Sequence, residues 1–335
     1  MSEPAPSATA DFGRASRPPV PARRRSEWLP IAVVVGLAGL AILLAITITP
    51  NFLTVDNIRA ILRNASIVGI VAVGMTPVTL SGNFVSLGIS QTAMAAMVAF
   101  VALRGVGWPQ LPTIVLVVAG TVLVGVLQGI VVAAGLNPFI TTLAAGAIIF
   151  GVVSQITHGG IVRVGEHPVS WGGATVAGIP VEVLIFIAFT IVVTVVMSRT
   201  VAGRETTLVG ANRPTAEISG ISFGRVTIIA FAIFSVALAV AGILSGAAFG
   251  QATANSFPGL TINVIAAVLV GGTAIGGGRG SPARSAAGAV LIAVIANMMV
   301  LNDFSTGGRL AVQGGVVVVV VVLLELLRRR MAVAS

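Results

Sequence analysis

Few side chains in this sequence could do covalent or metal chemistry. The chain contains no Cys, so thiolate metal sites, cysteine nucleophiles and disulfides are excluded. His158 and His167 are its only imidazoles, and Glu166 stands beside the second one. The nine-residue spacing of the two His on a glycine-rich stretch is loose for a metal site. A metal-dependent membrane enzyme is therefore disfavoured, and we predict no metal and no cofactor.

The glycine-rich stretch 271–280 could be mistaken for a phosphate-binding loop. No Lys follows it, and the chain has no Gly-x-x-x-x-Gly-Lys-Ser/Thr pattern. The stretch also follows an apolar run that is typical of a helix rather than a buried strand. Close helix packing and a tight turn explain these glycines better. Any ATP chemistry must then come from another subunit.

Neutral polar and aromatic side chains inside long apolar runs are the remaining candidates for function. Such groups are costly in a membrane unless they face a bundle interior or a water-filled cavity. The alternative role is an interhelical hydrogen bond, which we favour for Asn297. Glu182, at the edge of an apolar run, is expected to reach the outer interface. The predicted solute pathway comprises Asn83, Phe84, Ser86, Asn137, Phe139, Thr141 and Asn263.

Composition identifies the elements that must position these groups. The 335 residues are 56% hydrophobic and 9% charged, whereas a soluble domain carries about 25% charged residues. Apolar runs near 20 residues recur, each long enough to cross a hydrocarbon core of about 30 Å. We therefore predict an all-α integral membrane protein with about ten transmembrane helices, at 28–48, 61–80, 86–103, 112–134, 138–157, 179–198, 226–249, 261–275, 285–301 and 310–327.

The arginines orient this bundle. With ten crossings and both termini in the cytoplasm, 14 of the 19 basic residues, all of them Arg, fall inside and five fall outside, as the positive-inside rule requires. The net charge of +9 then reflects topology rather than nucleic-acid binding. The predicted organisation is a cytoplasmic Arg/Pro-rich tail (1–27), a transmembrane domain (28–327) and a cytoplasmic C-terminal tail (328–335).

One internal connection, 199–225, is long enough to form structure outside the bilayer. Asn212 is a plausible helix cap, Pro214 suits a first turn, and Gly220 can end a helix. The pattern predicts a short helix over 215–219, too polar to span a membrane. A rigid helix between two spans would offer an outside protein a handle on the bundle. An ordinary loop is the alternative reading.

Several stretches in order resemble the ribose/xylose/arabinose and autoinducer-2 type permeases of ABC importers. The cytoplasmic loop is similar at Gly203-Arg204, at 210–212, at Ala216 and at 219–221. Further similar stretches are NFLTVDNI (51–58), GMT (74–76), NPFITTL (137–143) and IAAVLVGGTAIGGGRG (265–280). The resemblance covers about residues 28–327. The chain departs from the family at 81–88, which lacks an Asp, and at Thr261 and Asn263, where the family often has acidic residues.

This resemblance implies the permease subunit of a bacterial ABC importer, multi-pass in the inner membrane, for a sugar-like solute. It implies cytoplasmic ATPase subunits, a periplasmic or extracellular solute-binding protein, and a second permease copy or paralogue as partners. The chain itself would not be an enzyme. ATPase coupling would involve Gly203, Arg204, Gly210, Asn212, Ala216, Glu217 and Gly220, with Ala216 small enough for the helix to sit in a partner's cleft.

Two other transport functions remain open. Permeases for branched-chain amino acids or nucleosides share the broad fold expected here. An ion-driven secondary transporter would need buried ionisable or ion-coordinating groups. The sequence supplies few acidic residues in its apolar runs and no chain of Asp, Glu or His for a proton relay, which disfavours that class.

Overall fold

Helices make up most of the described structure. The computed structural model describes residues 52–83, 88–165, 169, 171–305 and 307–316, together with 36, 39, 43, 46–49, 318, 319 and 322. The elements are α1 (Val55–Leu80), α2 (Ile89–Gly105), α3 (Gln110–Ala133), α4 (Pro138–Thr157), β1 (Val162–Arg163), β2 (Thr175–Val176), β3 (Ile179–Pro180), α5 (Val181–Arg199), α6 (Val201–Ala211), α7 (Arg213–Ile218), α8 (Phe223–Phe249), β4 (Gln251–Ala252), α9 (Leu260–Val270) and α10 (Pro282–Leu301). Residues 307–316 are also helical.

Helix ends follow local backbone chemistry. α4 begins where the side chain of Asn137 accepts a hydrogen bond from the amide of Phe139, with Pro138 in the first turn. The last residue of α9 is Val270, and Gly271 is its C-cap. Gly272 follows with φ of 74°, a left-handed conformation that favours glycine. The predicted span 261–275 is therefore shorter than expected, because this pair of glycines stops the helix at Val270.

The core lies where α1 crosses α8. In the most apolar 18 residues of α1 and α8, 78% and 67% of the stretch is buried. The corresponding shares in α3, α4 and α5 are only 28%, 17% and 22%. A Cβ on Gly74 of α1 would lie only 2.3 Å from the Cβ of Ala237 on α8. Glycine therefore permits this close crossing, and the exposed apolar faces of α3, α4 and α5 are left to contact lipid.

The predicted membrane class is confirmed. By length and composition, α1, α3, α4, α5, α8 and α10 could cross a membrane, and α2 and α9 are shorter apolar helices. Most of the predicted span 28–48, and the tails 1–27 and 328–335, lie outside the described residues. The number of ten spans and the cytoplasmic position of both termini therefore stay predictions.

Two halves of the bundle repeat the same order of elements in opposite directions. Each half has a long central helix (α1 or α8), a short helix (α2 or α9) and a long outer helix (α3 or α10). α3 packs on α8 as α10 packs on α1, and α1 packs on α8. The start of α1 and the end of α8 lie at the same cavity. This is the arrangement of an inverted repeat, which is common among membrane transporters.

Candidate functional site

The polar connection between α5 and α8 folds into two helices rather than one. α6 and α7 meet at Asn212, whose side-chain oxygen accepts a hydrogen bond from the amide of Thr215 at 3.2 Å. Pro214 lies in the first turn of α7, and Gly220 follows the helix with φ of 82°. The predicted short helix is therefore confirmed, with its cap and its glycine end. α6 is an additional helix that its two glycines concealed, because glycine is a poor helix former.

Ala216 does not face outward, contrary to the sequence prediction. Its side chain is 4% exposed and packs in a cluster with Val209, Phe223 and Val226. A partner's cleft would therefore meet the other side of α7, where Ile218 is 90% exposed. Ile218 is therefore the apolar side chain of α7 that a partner could contact, whereas Ala216 is not accessible.

Ionic contacts hold α6 and α7 against the start of α8. The guanidinium of Arg213 lies 2.9 Å from the carboxylate of Glu217 and 3.6 Å from the ring centroid of Phe223. Arg225 donates two hydrogen bonds from one terminal nitrogen to the carboxylate of Glu205, at 2.8 and 2.9 Å. Exposed ion pairs add little stability individually, but together they fix the orientation of this surface.

Four glycines join α6 to two other segments, and we call this contact the glycine junction (Gly82, Gly210, Gly277 and Gly278). The amide of Gly278 donates a hydrogen bond to the carbonyl of Leu80, the last residue of α1, at 2.9 Å. A Cβ on Gly210 would lie 1.7 Å from that carbonyl oxygen, and one on Gly277 would lie 2.8 Å from the Cα of Gly82. The backbones of α6, the turn after α1 and the loop after α9 therefore touch directly.

Asn83 lies beside this junction, and its side-chain nitrogen is hydrogen-bonded within the protein. It is 5% exposed, and its amide nitrogen donates to the hydroxyls of Ser81 and Thr227 at 3.0 and 3.1 Å. These contacts tie the turn after α1 to the first turns of α8. Phe84 and Ser86, also predicted to line the pathway, lie outside the described residues.

Three other predicted pathway residues lie in or next to the first turn of α4. Asn137 is engaged as the helix cap, and Phe139 is 46% exposed. The hydroxyl of Thr141 is buried without a hydrogen-bond partner. The backbone of α4 at Thr142 lies close to Gly88, at the start of α2. The first turns of α4 therefore pack beside the start of α2, and none of these three residues is among those that line the cavity containing Asn263.

Asn263 lines a separate cavity of about 470 Å³. Its walls are the first half of α1, the starts of α5 and α9, the end of α8 and the loop before α9. We call it the Glu182 cavity. The residues that line it are Ala60, Arg63, Asn64, Ile67, Val68, Glu182, Leu244, Ser245, Ala248, Phe249, Ser256, Phe257, Pro258, Leu260 and Asn263.

Glu182 is buried among other helices, whereas its sequence position suggested a side chain that reaches the outer interface. It is 4% exposed, and one of its oxygens lies 3.9 Å from Nε of Arg63. A terminal nitrogen of Arg63 donates to the carbonyl of Gly173 at 2.8 Å. The pairing was hidden because Arg63 and Glu182 are far apart in sequence. The sequence did contain a signal: Glu182 lies near the start of one predicted span, and Arg63 lies near the start of another.

The cavity and the glycine junction lie at opposite ends of the same helices. Arg63 and Leu80 are 17 residues apart on α1, which corresponds to about 25 Å. α8 runs from the α6–α7 contact at Phe223 to the cavity at Phe249, and α9 starts at the cavity. Of the predicted pathway residues, Asn263 lies at the cavity end, whereas Asn83 lies at the junction end together with the coupling helix α6. The two ends share α1, α8 and the segment beginning with α9.

Asn297 has the structural role predicted for it. Its side chain and that of Asn57 exchange two hydrogen bonds, at 2.7 and 3.1 Å, between α10 and α1. Among the described residues there is no group of three or more His, Asp or Glu that could hold a metal. His158 ends α4 with a left-handed backbone, whereas Glu166 and His167 lie outside the described residues.

Comparison with known proteins places this geometry in context. Residues 57–321 match the family model described as "Branched-chain amino acid transport system / permease component". The ribose import permease protein RbsC of Haemophilus influenzae is 31% identical over 80% of this chain and 85% of its own length. RbsC of Bacillus subtilis is 32% identical over 83% and 87%. The L-arabinose transport system permease protein AraH of Escherichia coli is 28% identical over 86% and 88%. No solved structure matches the chain.

Proposed function

We propose, from the premise that this chain belongs to the family of branched-chain amino acid transport system permease components, that it is the permease subunit of a bacterial ABC importer. Its solute is a monosaccharide or a similar neutral, polar molecule. The match covers nearly all of α1, all of α8, the α6–α7 segment and every residue that lines the Glu182 cavity. The chain carries out translocation, and separate subunits hydrolyse ATP.

The choice of a sugar rests on the named relatives and on the polar groups of the chain. Relatives that match along most of their length are named for ribose and L-arabinose import. The family description, in contrast, names branched-chain amino acids, and permeases for these solutes or for nucleosides are the alternative. Hydroxyl-rich solutes suit a pathway whose polar groups are mainly amides and hydroxyls.

The orientation of the protein in the membrane is proposed from the arginine distribution. With ten spans, the 14-to-five split of the arginines puts α6, α7 and the glycine junction in the cytoplasm. The Glu182 cavity then opens toward the outside, where a solute-binding protein would deliver cargo. The protein resides in the inner membrane with a second copy or a paralogue, and two ATPase subunits dock on the cytoplasmic side.

The contacts of the glycine junction suggest how ATPase movement reaches the solute. A displacement of α7 moves α6, because Arg213, Arg225 and the Ala216 cluster bind these helices to α8. α6 in turn has no free space against Leu80 and Gly278. The displacement therefore passes to the end of α1 at Leu80 and to the loop after α9 at Gly278. The opposite ends of α1 and α9 line the cavity. Gly203, Arg204, Gly210, Asn212, Ala216, Glu217 and Gly220 act in this coupling through packing and capping.

The observation that carries this proposal is the exposed side chain of Ile218 on a helix fixed to the central bundle. Ile218→Glu places a carboxylate where an apolar contact forms, and burying an unpaired charge is costly. The Ile218→Glu importer is expected to lose ATPase co-purification and solute-stimulated ATP hydrolysis by at least about tenfold. Membrane levels remain normal because Ile218 is 90% exposed.

Ile218→Val is the matched control, since it keeps an apolar side chain at the same position, and it should retain both activities. Co-purification on affinity resin and phosphate release in liposomes measure the two outcomes. Normal ATPase binding and stimulated hydrolysis in Ile218→Glu would remove α7 as the docking element.

A further inference from the structure

We infer that Glu182, Arg63 and Asn263 form a subsite that binds adjacent hydroxyl groups of the transported solute. This inference rests on the proposed function. Of its three residues, only Asn263 belonged to the predicted pathway, so Glu182 and Arg63 are additional. All three side chains line the Glu182 cavity. They come from the starts of three helices, α5, α1 and α9.

Three residues that line this cavity carry unpaired polar atoms. One carboxylate oxygen of Glu182, the side-chain oxygen of Asn263 and Nε of Arg63 are buried and have no hydrogen-bond partner. Burying such atoms without a partner costs about 1–3 kcal/mol each, and native proteins rarely leave them so. A solute whose hydroxyls reach these side chains would supply the missing partners of two acceptors and one donor.

The spacing of the ion pair suits an inserted hydroxyl group. Nε of Arg63 and the nearer oxygen of Glu182 are 3.9 Å apart, which is too long for a direct hydrogen bond. A hydroxyl between them would donate to the carboxylate and accept from the guanidinium. A neighbouring hydroxyl could donate to the second oxygen of Glu182 or to Asn263. Adjacent hydroxyls on a sugar ring match this alternation.

Aromatic rings complete the cavity. Phe249, at the end of α8, and Phe257, in the loop before α9, both line it. The apolar faces of sugar rings carry C–H groups that pack against aromatic side chains. A cavity of about 470 Å³ lies within the range of about 300–1,000 Å³ for small-molecule sites.

Free amino acids meet a less favourable donor at Arg63. An α-carboxylate is bound best by a guanidinium with two parallel donors, but a terminal nitrogen of Arg63 already donates to Gly173. The ammonium group of an amino acid could still pair with the carboxylate of Glu182, so L-leucine is tested beside the sugars.

Cysteine protection measures solute binding at this subsite without relying on ATP hydrolysis. The chain has no Cys, and Ala248 is an exposed residue on the cavity wall. In the complete importer in liposomes, Ala248→Cys should react with a membrane-impermeant methanethiosulfonate. D-ribose, L-arabinose, D-xylose, D-galactose and L-leucine are tested for slowing that reaction. The sugar that the wild-type importer transports should protect Ala248→Cys.

Glu182→Gln then tests the subsite directly. Loss of one hydrogen bond to a charged group should raise the half-protecting sugar concentration by at least about tenfold. Asn263→Ala should raise it by about threefold or more, since it removes a neutral acceptor. Asn263→Ala also tests the subsite if the Glu182→Gln protein does not insert into the membrane. Asp56→Asn is the matched control, because Asp56 is a carboxylate near the start of α1 with 96% of its side chain exposed.

The outcomes separate this inference from the proposed function. Unchanged protection in Glu182→Gln and Asn263→Ala would overturn the subsite while leaving a working sugar importer. Protection by L-leucine alone would overturn the assignment to hydroxyl groups. An importer that transports none of the tested sugars would count against the proposed function itself, whatever the variants do.

Discussion

Ser90 and Thr261 exchange hydrogen bonds across the centre of the bundle, and each is the second residue of its helix. Their hydroxyl oxygens are 2.8 Å apart, the amide of Thr261 donates to the hydroxyl of Ser90 at 3.1 Å, and the amide of Ser90 donates to that of Thr261 at 3.3 Å. The first amides of a helix have no partner within it. Each hydroxyl therefore caps the other helix, so α2 and α9 meet start to start.

This reciprocal contact predicts energetic coupling between Ser90 and Thr261. Ser90→Ala and Thr261→Val each remove a hydroxyl that caps the opposite helix, so each should destabilise the protein by about 1–2 kcal/mol. The double variant should lose less than the sum, with a coupling energy of about 1 kcal/mol. Unfolding in mixed SDS micelles measures the free energies.

Thr121 provides the matched control for this cycle. Its hydroxyl bonds to the carbonyl of Val117 within the same helix, α3, so Thr121→Val combined with Ser90→Ala should be additive. Additivity of Ser90→Ala and Thr261→Val as well would show that the two helix starts are not coupled.

The sequence was sufficient to predict the membrane class and the position of most helices. Runs of apolar residues and breaks such as Asn137-Pro138 are local features, and local chemistry decides where they form helices. The cap of α7 at Asn212 was also predictable, because it depends on residues within one turn. The family resemblance was carried by ordered motifs over the same region.

Contacts between distant residues were not predictable. α6 contains Gly203 and Gly210, which weaken helix propensity. Only their tight contacts explain why glycine stands there: Gly203 lies against the backbone of Met197, and Gly210 lies against Leu80 and Gly278. The burial of Ala216 and Glu182 likewise depends on other helices. Asn83 has the polarity of a pathway residue, yet Ser81 and Thr227 use its amide nitrogen. Polarity reveals that a side chain needs partners, but not whether protein or solute supplies them.

The topology prediction can be checked in the same Cys-free chain. Asn255→Cys and Ser219→Cys replace exposed residues at the cavity end and at the α7 end. An impermeant maleimide added to whole cells with a permeabilised outer membrane should label Asn255→Cys. Ser219→Cys should react only after the inner membrane is opened, because the arginine distribution places α7 in the cytoplasm. Labelling of Ser219→Cys in sealed cells would invert the topology and overturn the count of ten spans.

The last prediction concerns the glycine junction, where coupling and packing can be separated by two similar substitutions. A Cβ on Gly210 would lie 1.7 Å from the carbonyl oxygen of Leu80 and 2.6 Å from the amide nitrogen of Gly278. Gly210→Ala should therefore push α6 away from both, lower the unfolding free energy by about 1–3 kcal/mol, and reduce transport per ATP hydrolysed.

Gly120→Ala adds the same methyl group to α3, where a Cβ would meet nothing within 4 Å. It should leave transport per ATP unchanged and keep or slightly raise stability, because alanine favours a helix by about 1 kcal/mol over glycine. Sugar uptake and phosphate release, measured together in liposomes that contain the ATPase and the binding protein, give the ratio. If Gly210→Ala keeps the wild-type ratio, the junction packs the bundle but does not transmit the movement of α6. Coupling would then have to pass through Arg225 and the start of α8 alone.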